Sequence, residues 1–593
     1  MRGAGTVLTM SKRFAGRSPK RTAVLVVHGM GLQRPLDTVR EIVNAVWLGG
    51  AESGDERRIW VHPERSGTDL DLPVITTNPI GGTDGRRADF HELYWSHLMS
   101  ETRSVAVLLW LFELVRKGPR LNRGMNEVWW GGAVFLVLAI QSVSLLLLLA
   151  AARSAHIVDQ PASLLIAPIQ MFLILGVATT IAFTFQRAMR IAKWSAIFTV
   201  VLAGVYLVVT FTPQTEQFVT NLLPTALALM ITIILMGTRW GLPAFAVAYA
   251  MAFSFELLRQ ILTGGKEWLP WTLTSEWCAF AAWIIIAIYL IVNAAFLQPY
   301  LGDAARYFRN APSNVAVRRE IRRQSVNTLE ALHECGKYDR IVIIAHSLGS
   351  VIAYDMLRAY FGRIFRQLPA DVPELKPLIE EIDAGALDDE ALRDKGRELI
   401  ARIAEVVDQR RAKGDRDVKA WLVTDFITLG SPLTHAHYFM CRGHDDAALA
   451  ADFKRRVMER ELPTCPPRLI DGDGMLTHVH ARSGERRFHY AAIFGLTRWT
   501  NLYFPREQLF WGDAIGGPMR DVFGEAIFDV PVCKNHAGEP EFFTHRDYWD
   551  VTGDGGYHGP HIAALRDAID LADTGLPNRR LNFETRALSP ALR

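Results

Sequence analysis

Cysteine is scarce in this chain: five in 593 residues, Cys278, Cys335, Cys441, Cys465 and Cys533, with no C-x-x-C among them. That scatter argues against a disulfide framework and against a zinc site, and makes a reducing compartment the simpler expectation. Charge of one sign is equally short. Lys and Arg number 65 against 62 Asp and Glu, a formal net charge of +3, and no basic run alternates with aromatics. Nucleic acid is therefore not an expected partner. The basic segment Met1–Arg21 has no apolar core and does not read as a cleaved signal peptide. His435, His437 and His444 lie near Cys441 without a ligand spacing, so no metal is expected.

In one part of the chain, charge is missing almost entirely. Five stretches carry none: Trp129–Ala152, Leu164–Phe185, Trp194–Phe211, Phe218–Met236 and Trp277–Leu297. Each is long enough, or nearly so, to cross roughly 30 Å of hydrocarbon as a helix. A sixth, Trp240–Phe255, is cut short by Glu256 and spans only if Glu256 and Arg259 face other helices or the interface. Basic residues gather before the first stretch (Arg116, Lys117, Arg120, Arg123), in the second connection (Arg187, Arg190, Lys193) and after the last (Arg306, Arg309, Arg318, Arg319, Arg322, Arg323). Positive loops face the cytoplasm, so both flanks of residues 129–297 are expected there. The expectation is a multi-pass protein of a bacterial inner membrane, with four or six spans.

Chemistry lies on either side of this block. Thr22–Val27 (TAVLVV) reads as a buried parallel strand running into His28-Gly29-Met30-Gly31, with a helix near Thr38 whose capping box Glu41 completes. Past the block, Arg340–Ala345 (RIVIIA) is a second such strand. It leads into His346-Ser347-Leu348-Gly349-Ser350 and a helical stretch, Val351–Phe361. Strand, small-x-Ser-x-Gly, helix is the pattern of a nucleophile elbow. The turn is so sharp that the positions two before and two after the serine must be small, here Ala345 and Gly349. It exposes the hydroxyl and leaves the Leu348 N–H at a helix N-terminus, able to stabilise an oxyanion.

VVHGMG together with IIAHSLGSVIAYD resembles the lipase and esterase branch of the α/β-hydrolase superfamily, and within it the membrane-associated lipases similar to GPI-inositol deacylases. The likeness covers residues 22–50 and 325–575. It implies a mostly parallel sheet with flanking helices, an oxyanion hole from the N–H groups of Met30 and Leu348, and no cofactor. Asp425–Leu433 (DFITLGSPL) resembles the strand after the elbow, which makes Ser431 structural and not a second nucleophile. The block at 129–297 departs from the pattern, because it separates the oxyanion strand from the elbow.

A serine needs a base, and the base a carboxylate; in this fold they follow in the order Ser, Asp or Glu, His. Asp513, in the Gly-rich turn after Trp499–Phe504, is the preferred acid, with Asp425 the alternative. His545, in FFTHRDYW after Ile527–Val532, is the preferred base, with His536 and His558 as competitors. The charged, helix-forming segment 362–421 is expected as a cap or lid over the site. The organisation expected is therefore 1–128 and 298–593 folding together, interrupted by 129–297. The function expected is a membrane-anchored serine hydrolase acting on a lipid or other acylated amphiphile. The alternative is a catalytically silent hydrolase-fold scaffold or regulator of a membrane transport or signalling protein.

Overall fold

The computed structural model describes residues 21–99 and 302–573, apart from 31–33, 51–56, 63–72, 81–84, 309–311, 416, 442–445, 470–472, 507–510, 514, 539–540, 542 and 553–555. The chain divides into two compact units. One gathers Met1–Glu101, Tyr307–Gly443 and Ala447–Arg593; the other holds Thr102–Arg306 and His444–Asp446. Among the described residues no helix is long and apolar enough to cross a membrane. The uncharged stretches between 129 and 297 lie outside the described residues.

The first unit is built on eight strands: β1 (Arg21–Val27), β2 (Ile59–His62), β3 (Val74–Thr77), β4 (Arg87–Leu93), β5 (Arg340–His346), β6 (Val423–Leu429), β9 (Arg498–Tyr503) and β10 (Phe528–Pro531). β7 (Thr477–Val479) and β8 (Arg486–Phe488) form a separate antiparallel pair. The order across the sheet is β10-β9-β6-β5-β1-β4-β3-β2. Every pairing from β10 to β4 is parallel, and only β4–β3 and β3–β2 are antiparallel. The protein is thus an α/β structure on a mostly parallel sheet.

β1 and β5 are apolar along nearly their whole length because both faces are covered. Val24, Val26, Val342 and Ile344 belong to a buried cluster with helix α1 (Asp37–Val46) and with Ile562, Leu565 and Ile569 near the C-terminus. α3 (Leu348–Ile364) packs on β5 and β1, and α2 (Pro312–Glu334) packs against α3. The strands pair in register, Val27 beside Ala345, although hundreds of residues separate them in sequence.

Two local expectations are corrected. The helix near Thr38 begins at Asp37 without a capping box. Leu36 precedes it in the left-handed region (φ 69°) with its N–H on Glu92 Oε2 at 2.5 Å, and Glu41 instead accepts from the Trp549 indole at 2.7 Å. A tertiary partner has taken the carboxylate that a cap would have used. The second correction concerns 362–421, which forms α4 (Lys376–Asp383) and α5 (Asp389–Ala412). α5 buries Leu392, Leu399, Ile400, Ile403 and Val407, with Gly396 against the Gly495 carbonyl. Its Arg397 pairs with Asp573, and its Arg393 lies over the Phe528 ring at the start of β10. These contacts make α5 a wall of the sheet reaching toward the strand starts, the end away from the elbow, and not a lid.

The strand starts are tied by a buried ionic cluster. Arg340 donates to Asp425 Oδ2 at 2.6 Å and to the carbonyls of Asp570 (2.6 Å) and Ile569 (3.0 Å), while Arg498 pairs with the same Asp425. Burial opposes ionisation of Asp425, but the two arginines outweigh it and hold the carboxyl well below the usual range. Asp425 sits level with Val342, about 16 Å along the sheet from Ser347 at the strand rise. The alternative acid is therefore a structural ion. Asp425→Asn strands two buried guanidinium groups and is expected to cost roughly 3–5 kcal/mol in denaturant unfolding. A loss below about 1 kcal/mol would show the cluster to be no more than a surface-type pair.

Candidate active site

At the other end of β5 the chain turns sharply at Ser347, which has φ 51° and ψ −129°. A positive φ at a residue with a side chain is strained, and such strain is held by its surroundings. Here the Ser347 N–H donates to the Leu429 carbonyl at 3.0 Å, and α3 starts at once with Leu348. The turn also presses on the end of β1. A Cβ on Gly349 would lie 2.3 Å from the His28 carbonyl oxygen, and one on Gly29 would lie 2.5 Å from His346 Nδ1 and 3.1 Å from Ser347 Cβ. Both positions therefore require glycine, and their closeness brings the loop bearing Met30 up against the serine.

Ser347 Oγ lies 2.9 Å from His545 Nε2. On the far side of the same ring, Nδ1 is 2.9 and 3.0 Å from the two oxygens of Asp513. The three side chains that sequence reasoning preferred are thus joined in one hydrogen-bonded chain, and His545, rather than His536 or His558, is the histidine in it. Asp513 is fully buried. Burial opposes its ionisation. The adjacent His545, the Gly516 N–H and the Tyr548 hydroxyl (2.7 Å) outweigh that and hold the carboxyl well below the usual carboxylate range. It is thus held as an anion at neutral pH, as an orienting carboxylate must be.

Both acid and base are carried on loops, and the loops are tied to each other. Gly512 N–H donates to the Glu541 carbonyl at 2.8 Å, and Thr544 N–H to the Gly512 carbonyl at 3.3 Å. After the base, Lys534 holds Asp547 (3.2 Å) and Asp550 (2.7 Å). Two histidines beside the serine are fixed as neutral rings. His346 Nε2 donates to the His545 carbonyl at 2.7 Å, and burial, helped by the nearby His545, pushes its pKa down to about 3. His28 donates from Nδ1 to the Gly29 carbonyl, accepts the Trp95 N–H on Nε2 and stacks on the Trp95 ring at 4.9 Å. Burial pushes it down to about 4.

Ser431 is buried in a different network. Its Oγ lies 2.6 Å from Ser350 Oγ, which donates to the Ser347 carbonyl, and it accepts the Leu433 N–H. It braces the elbow from behind. Sequence reasoning missed two supports, Tyr548 on the acid and Glu92 on the loop after β1, and, though it named His346 as an elbow residue, not its bond to the base loop. Only the first had a visible signal, since Tyr548 stands three residues after His545 in H-x-x-Y-W. Among the described residues no group of His, Cys, Asp or Glu is placed to hold a metal ion, and none of the four described cysteines forms a disulfide.

No family model matches this chain, and neither does any curated protein or solved structure. The reading of the site rests on its geometry.

Gly29→Ala drives a methyl group into His346 and Ser347. Turnover is expected to fall at least about tenfold, the order of loss that an ångström-scale misplacement brings, while the far-ultraviolet circular dichroism stays native. Unchanged turnover would mean that the close approach of β1 to the elbow has no part in the chemistry.

Proposed function

We propose that this chain is a serine hydrolase of α/β-hydrolase fold that cleaves the ester of a lipid or acylated amphiphile. The observation that carries the reading is the unbroken chain Ser347 Oγ–His545 Nε2, His545 Nδ1–Asp513, with the serine held at a strained elbow. In this reading Ser347 Oγ attacks the acyl carbon while His545 Nε2 takes its proton, and Asp513 stabilises the imidazolium that results. The oxygen of the tetrahedral adduct faces the N–H of Leu348, the first residue of α3 and so without an intrahelical acceptor, and that of Met30. His545 then gives the proton to the departing alcohol. Water, activated by the same histidine, releases the acid and restores the serine.

A fluorophosphonate probe on the purified protein tests this directly. Label is expected on Ser347 alone, absent from Ser347→Ala and retained in Ser431→Ala. Ser347→Ala, His545→Ala and Asp513→Asn are each expected to lower esterase kcat by about 10⁴-fold. Labelling that survives Ser347→Ala, or maps to Ser431, would overturn the assignment.

The same reading extends to the bilayer. Strands β1 and β5 are neighbours in one sheet, so any crossings made by residues 129–297 must be even in number. Five uncharged stretches are odd, and the sixth, Trp240–Leu262, completes an even set. We take it to cross, placing the hydrolase unit in the cytoplasm of a bacterial inner-membrane protein. A cysteine at Thr238 is then expected to be labelled from the cytoplasm, and under four spans from the far side. Lys20 and Asp415 labelled from opposite faces would refute the topology altogether.

A further inference from the structure

One buried side chain beside the catalytic acid has no use in this mechanism. β6 ends at Leu429, and the chain turns through Gly430 and Ser431 into Pro432–His435. The acid loop lies directly on this turn. A Cβ on Gly430 would come within 2.6 Å of Asp513 Oδ2, Thr434 Oγ1 donates to the Pro518 carbonyl at 2.7 Å, and a Cβ on Gly517 would lie 3.2 Å from Thr434 Oγ1. At the end of the turn stands His435, 6 % exposed, its ring edge-on to Phe439. Among the described residues neither of its ring nitrogens has a hydrogen-bond partner. A buried polar group without a partner costs stability, and a native structure that keeps two on one ring calls for a reason.

We propose that His435 is a substrate-binding residue that hydrogen-bonds a neutral hydroxyl group carried by the ester. This rests on the hydrolase reading and adds to it the polarity of the substrate. The charge state of the ring decides the class. Burial, with Arg506 and His437 nearby and Asp513 opposing them, pushes its pKa down to about 3. A neutral imidazole offers one N–H donor and one bare acceptor. A hydroxyl group can pair with whichever nitrogen faces it, because it accepts and donates. A phosphate or carboxylate only accepts, and can pair with the N–H nitrogen alone. The turn thus selects a hydroxylated, uncharged group, either on the alcohol side, as in a glycerol ester, or on the acyl chain.

The test uses the full-length protein in detergent and two matched pairs of esters of one chain length: glyceryl against propyl, and 3-hydroxyacyl propyl against acyl propyl. The wild type is expected to favour the hydroxylated member of one pair by at least about tenfold in kcat/KM, the value of one hydrogen bond to a buried group; which pair responds tells which side of the ester His435 meets. In His435→Phe the ratio is expected to fall to about one, and in His435→Gln, which keeps a donor and an acceptor, to remain above it. If the phenylalanine variant does not fold, His435→Leu serves the same comparison. An active wild type without preference in either pair, or a preference that survives His435→Phe, overturns this inference alone. Inertness toward all four esters with no phosphonate label on Ser347 overturns the hydrolase reading, and this inference falls with it.

Discussion

The parallel pairing of β1 with β5 is the constraint on which the rest depends. Register sets Val27 beside Ala345, and from there two loops diverge, one toward Gly29 and Met30, the other through the elbow. Because the strands are neighbours, the distance between those loops is set by the inter-strand spacing of about 4.8 Å. Glycine at 29 and 349 removes the side chains that would hold them apart. β6 on the other side supplies the Leu429 carbonyl that holds the Ser347 N–H, and the loops beyond β9 and β10 carry the acid and the base. Five strands in sequence across the sheet, β1, β5, β6, β9 and β10, thus end on one site.

Electrostatics divides the sheet into two ends of different character. At the strand starts, Arg340, Arg498, Asp425 and Asp573 form a buried network in which every charge faces an opposite one. At the strand ends, the fully buried carboxylate of Asp513 faces His545, the base of the proposed reaction. The remaining imidazoles there, His28, His346 and His435, are all driven neutral by burial. In the proposed reaction Asp513 stabilises the proton that His545 takes up.

How legible this was in the sequence depended on how local the signal is. The elbow was legible at once, because its sterics are confined to five residues between a strand and a helix. Histidine and acid were harder: they sit on loops, where no period marks them, and only chain order and the aromatic neighbours of His545 favoured them. Asp425 competed because a carboxylate inside an apolar run looks functional; its arginine partners are 73 and 85 residues away, a link that no local pattern carries. The helices at 362–421 misled for a related reason. An amphipathic helix buries its stripe equally well against a sheet or over a pocket, and its partners (Gly495, Phe528, Asp573) lie far along the chain. Glu41 failed likewise, since the Trp549 indole that claims it is 508 residues distant.

The pairing of β1 with β5 also sets an order in time. Arg21 meets Asp339 across 318 residues, so at about 10 residues per second the first strand waits roughly half a minute on the ribosome for its neighbour to be made. During that interval β1 can pair with β4, but its other edge, rich in valine and leucine, stays open. Strands in that condition are prone to pair with other chains. The sheet is therefore closed on that side of β1 only once β5 has been made.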